Sequence, residues 1–192
     1  MNALVKPVEE ALLPIFKGLP SLPEGGRKVL VKIWPVLALI FGVLQLLAAW
    51  SLWGLGHTAN ELVSYANQLS IAAGNGPVTQ DLGLFYYLGL AVLVIDAVIL
   101  LMAVAPLNSH QKKGWDLLFL GAELNLVYGI VILFDSYYGG VGSLFSTLLG
   151  SAIGFYLLFQ VRDYYTGAKK VETTTASKPA STPPAEKPES KV

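Results

Sequence analysis

Residues 29–55 read VLVKIWPVLALIFGVLQLLAAWSLWGL, an almost unbroken apolar run. Its one charge, Lys32, lies close to the start. At 1.5 Å per residue, about 20 such residues cross a hydrocarbon core of about 30 Å as a helix. Trp34, Trp50 and Trp53 stand toward the two ends, where amphipathic rings favour the headgroup level. Pro35 falls in the first turns, where a missing N–H costs little.

Three further stretches share this character. They run from about 82 to 107, closed by Pro106, from 115 to 134, and from 142 to 161, where RDYY follows. The joining segments NSHQKKG (108–114) and DSYYGGV (135–141) are short. The composition agrees: 54% of residues are hydrophobic and 14% charged, against about 25% charged in a soluble domain. A chain of 192 residues has too little interior to hide that much apolar surface from water. The expected fold is an all-α membrane protein with a bundle of four transmembrane helices and short interfacial helices. Two repeated helical hairpins are a variant of it, since KIWPVLAL and KKGWDLLFL open the first and third spans alike. Leu-Phe followed by glycine likewise recurs in the second and fourth, at Leu84, Phe85 and Gly89 and at Leu144, Phe145 and Gly150.

The flanking pieces are of three kinds. Residues 1–28 form an N-terminal arm in which VEEALLPIF predicts either a short helix on the membrane surface or a loosely ordered lead-in, kept short by Pro14, Gly18 and Pro20. Glu9, Glu10, Pro14 and Pro20 break any signal-peptide pattern. Residues 56–81 carry no Lys or Arg. There Thr58 and Glu61 make a capping-box spacing before Leu62, Tyr65, Ala66 and Leu69, which predicts a separate interfacial helix ended by GNGP. Residues 166–192, rich in Thr, Ser, Pro, Lys and Glu and without a further aromatic, are expected to be a disordered cytoplasmic tail.

Basic residues sit on alternate connections: Arg27, Lys28 and Lys32 before the first span, Lys112 and Lys113 between the second and third, and Arg162, Lys169 and Lys170 after the fourth. The positive-inside rule then puts both termini in the cytoplasm.

Within the spans Gln45, Asp96, Glu123 and Asn125 interrupt an otherwise apolar background. Counted from the basic ends, all four lie roughly 12–18 Å deep, so three helices are expected to supply one polar layer near mid-bilayer. A charge there costs about 2.5–3.5 kcal/mol or more, and such groups face the bundle interior or water. No Lys, Arg or His stands at that depth. The layer is hydrogen-bonding glue between helices, a site for a proton or cation, or a set of acids that pair with another subunit. In the fourth span Gly142, Ser146, Gly150 and Gly154 follow strict i,i+4 spacing. Small residues so placed let helix backbones approach closely in lipid, whether from this chain or a second copy. Asp81, Asp116, Asp135 and Asp163 fall at span ends and are expected to be plain, solvated boundaries.

The sequence excludes more functions than it suggests. It has no cysteine and two histidines, His57 and His110, far apart, so thiolate chemistry and a metal site are not expected. No nucleophile elbow, zinc-protease motif, P-loop or dinucleotide fingerprint appears. With 13 basic and 13 acidic residues there is no electrostatic case for nucleic acid. The expectation is a non-enzymatic scaffold or accessory subunit without a cofactor, surrounded by membrane lipids and pairing with itself or another membrane protein. The alternative is a proton- or cation-linked transporter or channel component that uses Asp96 and Glu123.

Overall fold

The computed structural model describes residues 2–77, 82–134 and 141–167. All regular structure among them is helical: α1 (Asn2–Lys17), α2 (Glu24–Ala72), α3 (Leu84–Asn108), α4 (Lys112–Val131, continued by a 3₁₀ turn over Ile132–Phe134) and α5 (Val141–Tyr165). Four of them, α2 to α5, are long and apolar enough to cross a membrane. Successive spans are neighbours, and a smaller contact between α2 and α5 closes the bundle.

The first span and the helix expected after it are one element. α2 runs unbroken for 49 residues, about 73 Å. Gly54 and Gly56 do not interrupt it, because extending a formed helix costs far less than nucleating a new one. Gly56 is needed for packing, since a Cβ there would lie 2.7 Å from the Tyr86 ring. Thr58 does not cap a new helix; its hydroxyl donates to Gly54 O at 3.2 Å, one turn back along the same one. The helix stops where GNGP was expected to stop it. Gly74 takes φ +82°, Gly74 N–H donates to Ile71 O and Asn75 N–H to Ser70 O, both at 2.9 Å. This is a Schellman motif, with glycine in the left-handed position.

The tight connection between α3 and α4 ends its helix in the same way without glycine. His110 adopts φ 52°, with His110 N–H donating to Leu107 O and Gln111 N–H to Pro106 O. The sharp reversal lets Gly114 approach α3 so closely that a Cβ would sit 2.6 Å from Leu107 N.

The N-terminal arm is a helix, and it docks on protein. Pro7 and Pro14 lie within α1 without ending it. Val5, Glu9, Leu12 and Phe16 recur at helical spacing, and this stripe faces α4 and α5. Phe16 stacks on Phe159 at 5.0 Å. The segment between α1 and α2 is pinned as well: Leu22 N–H donates to Gln160 Oε1 at 2.9 Å and Tyr156 hydroxyl to Pro20 O at 2.8 Å.

The well-packed core therefore lies at one end of the bundle. Val31, Leu107, Trp115, Phe119, Phe155, Leu158 and Val161 gather beneath α1. Toward the opposite end fewer side chains are buried. Apolar clefts of about 700 Å³, lined by Leu46, Trp50, Trp53 and Val94, and about 310 Å³, lined by Phe85, Leu93 and Tyr128, open there. Asp81, Asp135, residues 135–140 and the tail from 168 onward lie outside the described residues.

Candidate functional site

The four intramembrane polar residues do not form one connected layer. Gln45 of α2 and Asp96 of α3 meet: Gln45 Nε2 donates to Asp96 Oδ2 at 2.9 Å. Asp96 is 5% exposed. The third wall of its niche is Gly121 of α4, where a Cβ would lie 2.7 Å from Asp96 Oδ1. Glycine at 121 is thus what allows a carboxylate into the junction of three helices. Glu123 lies two residues further along α4, half-buried, and its Oε1 is enclosed without a hydrogen-bond partner. Gln45 Oε1 is enclosed and unpartnered in the same way. Asn125 is exposed and turns its amide back on its own helix, donating to Gly121 O at 2.9 Å. Helical geometry separates these groups, because residues two apart point about 200° from one another.

The three glycines of the α5 ridge meet no neighbour among the described residues. A Cβ at Gly142, Gly150 or Gly154 would meet nothing within 4 Å. Close approach occurs instead at Gly42 against Leu101, Gly56 against Tyr86, Gly89 against Tyr128, Gly114 and Gly121 against α3, and Gly129 against Thr147 of α5. Gly114 and Gly121 of α4 are seven residues apart, which returns to one helix face, and both meet α3. That spacing was the available signal.

A second group of charged residues carries stronger geometry and was not singled out by the sequence. Glu9 of α1, 4% exposed, sits between two cations. Arg162 Nε donates to Glu9 Oε1 at 2.6 Å and Lys112 Nζ approaches Glu9 Oε2 at 3.5 Å. Lys112 also reaches Asp116 Oδ1 at 2.6 Å. Asp116 is not the solvated boundary expected of it but a buried member of this network, 4% exposed. Trp115 is its floor. The indole is fully buried and its Nε1 donates to Leu158 O at 2.8 Å. Lys112 Nζ and Arg162 Cζ stand 5.5 and 5.9 Å from the ring centroid, within reach of a cation–π attraction. The arrangement holds charges; it presents no nucleophile beside a base. Among the described residues there is also no cluster of three or more His, Asp or Glu placed to hold a metal.

Compared with protein-family models, curated proteins and solved structures, the chain finds no match in any of the three.

Proposed function

We propose that the protein is a non-enzymatic membrane scaffold or accessory subunit, with both termini on the cytoplasmic side. The observation that carries this reading is the state of Asp96. It accepts a hydrogen bond from a neighbouring helix under a glycine lid, and the open apolar clefts are lined by neither Asp96 nor Glu123. A carboxylate used this way holds helices together. The glycines of the α5 ridge support the same reading, because the open space beside them leaves room for a second copy or another membrane protein. Other partners on this reading are membrane lipids.

One observation favours a proton- or cation-linked role instead, the enclosed Glu123 Oε1 without a partner. Reconstituted vesicles with a trapped pH-sensitive dye separate the two. The scaffold reading expects no protein-dependent proton flux under a pH or cation gradient, and no difference between wild type, Asp96→Asn and Glu123→Gln. A flux present in the wild type and lost in either variant contradicts it.

A further inference from the structure

We propose that the cavity enclosed by the end of α1, the 18–23 segment and the end of α5 binds a phosphate group, supplied by the headgroup of an anionic phospholipid. The cavity measures about 150 Å³, and Lys17, Ser21, Arg27, Arg162 and Asp163 line it over the ring of Phe159. Its walls are built rather than loose. Stacking of Phe16 on Phe159 fixes α1, and the bonds to Gln160 and from Tyr156 fix the segment that carries Ser21.

The charge balance points to an anion. Three cations line the cavity against one carboxylate. Arg162 is already bound to Glu9 outside it. Lys17 and Arg27 then face Asp163 with one positive charge in excess. Among the described residues neither Lys17 nor Arg27 makes an ion pair, although Asp163 lines the same space. Arg27 Nε is enclosed and has no hydrogen-bond partner. A guanidinium cannot give up its proton, and a buried N–H left unpaired is costly, so this side chain gains by turning toward an acceptor in the cavity. Its planar fork matches the oxygens of a phosphate, and the Lys17 ammonium and Ser21 hydroxyl add donors.

Position selects the source. Arg27 stands in the first turns of α2 and Arg162 and Asp163 in the last turn of α5, where the spans leave the hydrocarbon and lipid phosphates lie. Ile15 and Leu19 beside the cavity are exposed apolar side chains, placed to lie along the acyl chains of a lipid whose headgroup enters it.

The test uses the full chain, delipidated in a neutral detergent. Thermal unfolding and native mass measurement follow addition of phosphatidylglycerol, phosphatidylcholine or inorganic phosphate. Phosphatidylglycerol is expected to raise the melting temperature and remain bound more strongly than phosphatidylcholine. Arg27→Gln and Lys17→Gln should each weaken that binding on the order of tenfold, while Asp163→Asn, which removes the competing carboxylate, should strengthen it. Lys17→Gln serves if Arg27→Gln does not fold. Equal binding of phosphatidylglycerol by wild type and Lys17→Gln or Arg27→Gln overturns the site. Weaker binding by Asp163→Asn overturns it too, since removing a competing negative charge cannot weaken a site that holds an anion. A full shift with inorganic phosphate and none with phosphatidylglycerol overturns the lipid assignment.

Discussion

Glu9 and Arg162 stand 153 residues apart in the chain, and Arg162 Nε donates to Glu9 Oε1 at 2.6 Å. This contact ties the N-terminal helix to the last turn of the last span. Breaking it leaves Arg162 and Lys112 together without their shared acid. Removing one partner of a well-buried pair costs about 3–5 kcal/mol. Lys112 is partly exposed here, so Glu9→Ala is expected to cost less, about 2 kcal/mol. Limited proteolysis should then cut between α1 and α2 well before the bundle unfolds, and a variant cut no faster than wild type would show that the pair does not hold α1.

The glycines divide into two classes with opposite expectations. At Gly114 the atoms that a Cβ would meet are largely backbone, Leu107 N at 2.6 Å and Pro106 C at 2.9 Å, which cannot rotate away. Gly114→Ala should therefore destabilise the bundle by about 2 kcal/mol or more. Gly150 meets nothing within 4 Å, so Gly150→Leu should leave the unfolding of the monomer unchanged. If it changes the mass of the native assembly, the ridge is an interface between chains. A loss of monomer stability would mean that α5 packs differently.

His110 ends α3 with φ 52°, a conformation that β-branched side chains resist. His110→Val should cost about 1–2 kcal/mol, whereas His110→Gly should be close to neutral, because relief of strain offsets the lost stacking on Tyr165. Chemical denaturation in detergent checks the pair. Equal losses would assign the effect to the ring rather than to the backbone.

Orientation can be read with single cysteines, since the chain has none of its own. Ser70→Cys, near the far end of α2, should react with an impermeant thiol reagent from outside intact cells. Ser181→Cys should react only after permeabilisation. The reverse pattern would invert the topology.

The spans were legible because twenty consecutive apolar residues have one physical solution in a membrane. The continuity of α2 was not. The capping-box spacing at Thr58 and Glu61 is a true local signal, but a helix already propagating through Gly56 outcompetes a new start, and the Tyr86 ring that needs Gly56 comes from another span. The docking of α1 was illegible for a related reason. Glu9 on an amphipathic segment gives no sign that its cations lie more than 100 residues away. In the polar layer, depth counting put Gln45 and Asp96 at one level. It could not tell that Gly121 makes their niche or that Asn125 bonds its own helix, since both depend on helix rotation. The α5 ridge pattern reads as a packing face, yet within one chain the close contacts fall on glycines of α2, α3 and α4, which follow no such strict spacing.

On the scaffold reading Asp96 joins helices rather than carrying a proton or ion, and the coupling between Gln45 and Asp96 tests that role. The measurement is the unfolding free energy in detergent of the wild type, Gln45→Leu, Asp96→Leu and the double variant. Each single change should destabilise the protein, and the double variant by less than their sum. The expected coupling is about 0.6–1.7 kcal/mol, the range of hydrogen bonds between membrane helices. Strictly additive losses, or an Asp96→Leu protein as stable as the wild type, would rule that role out.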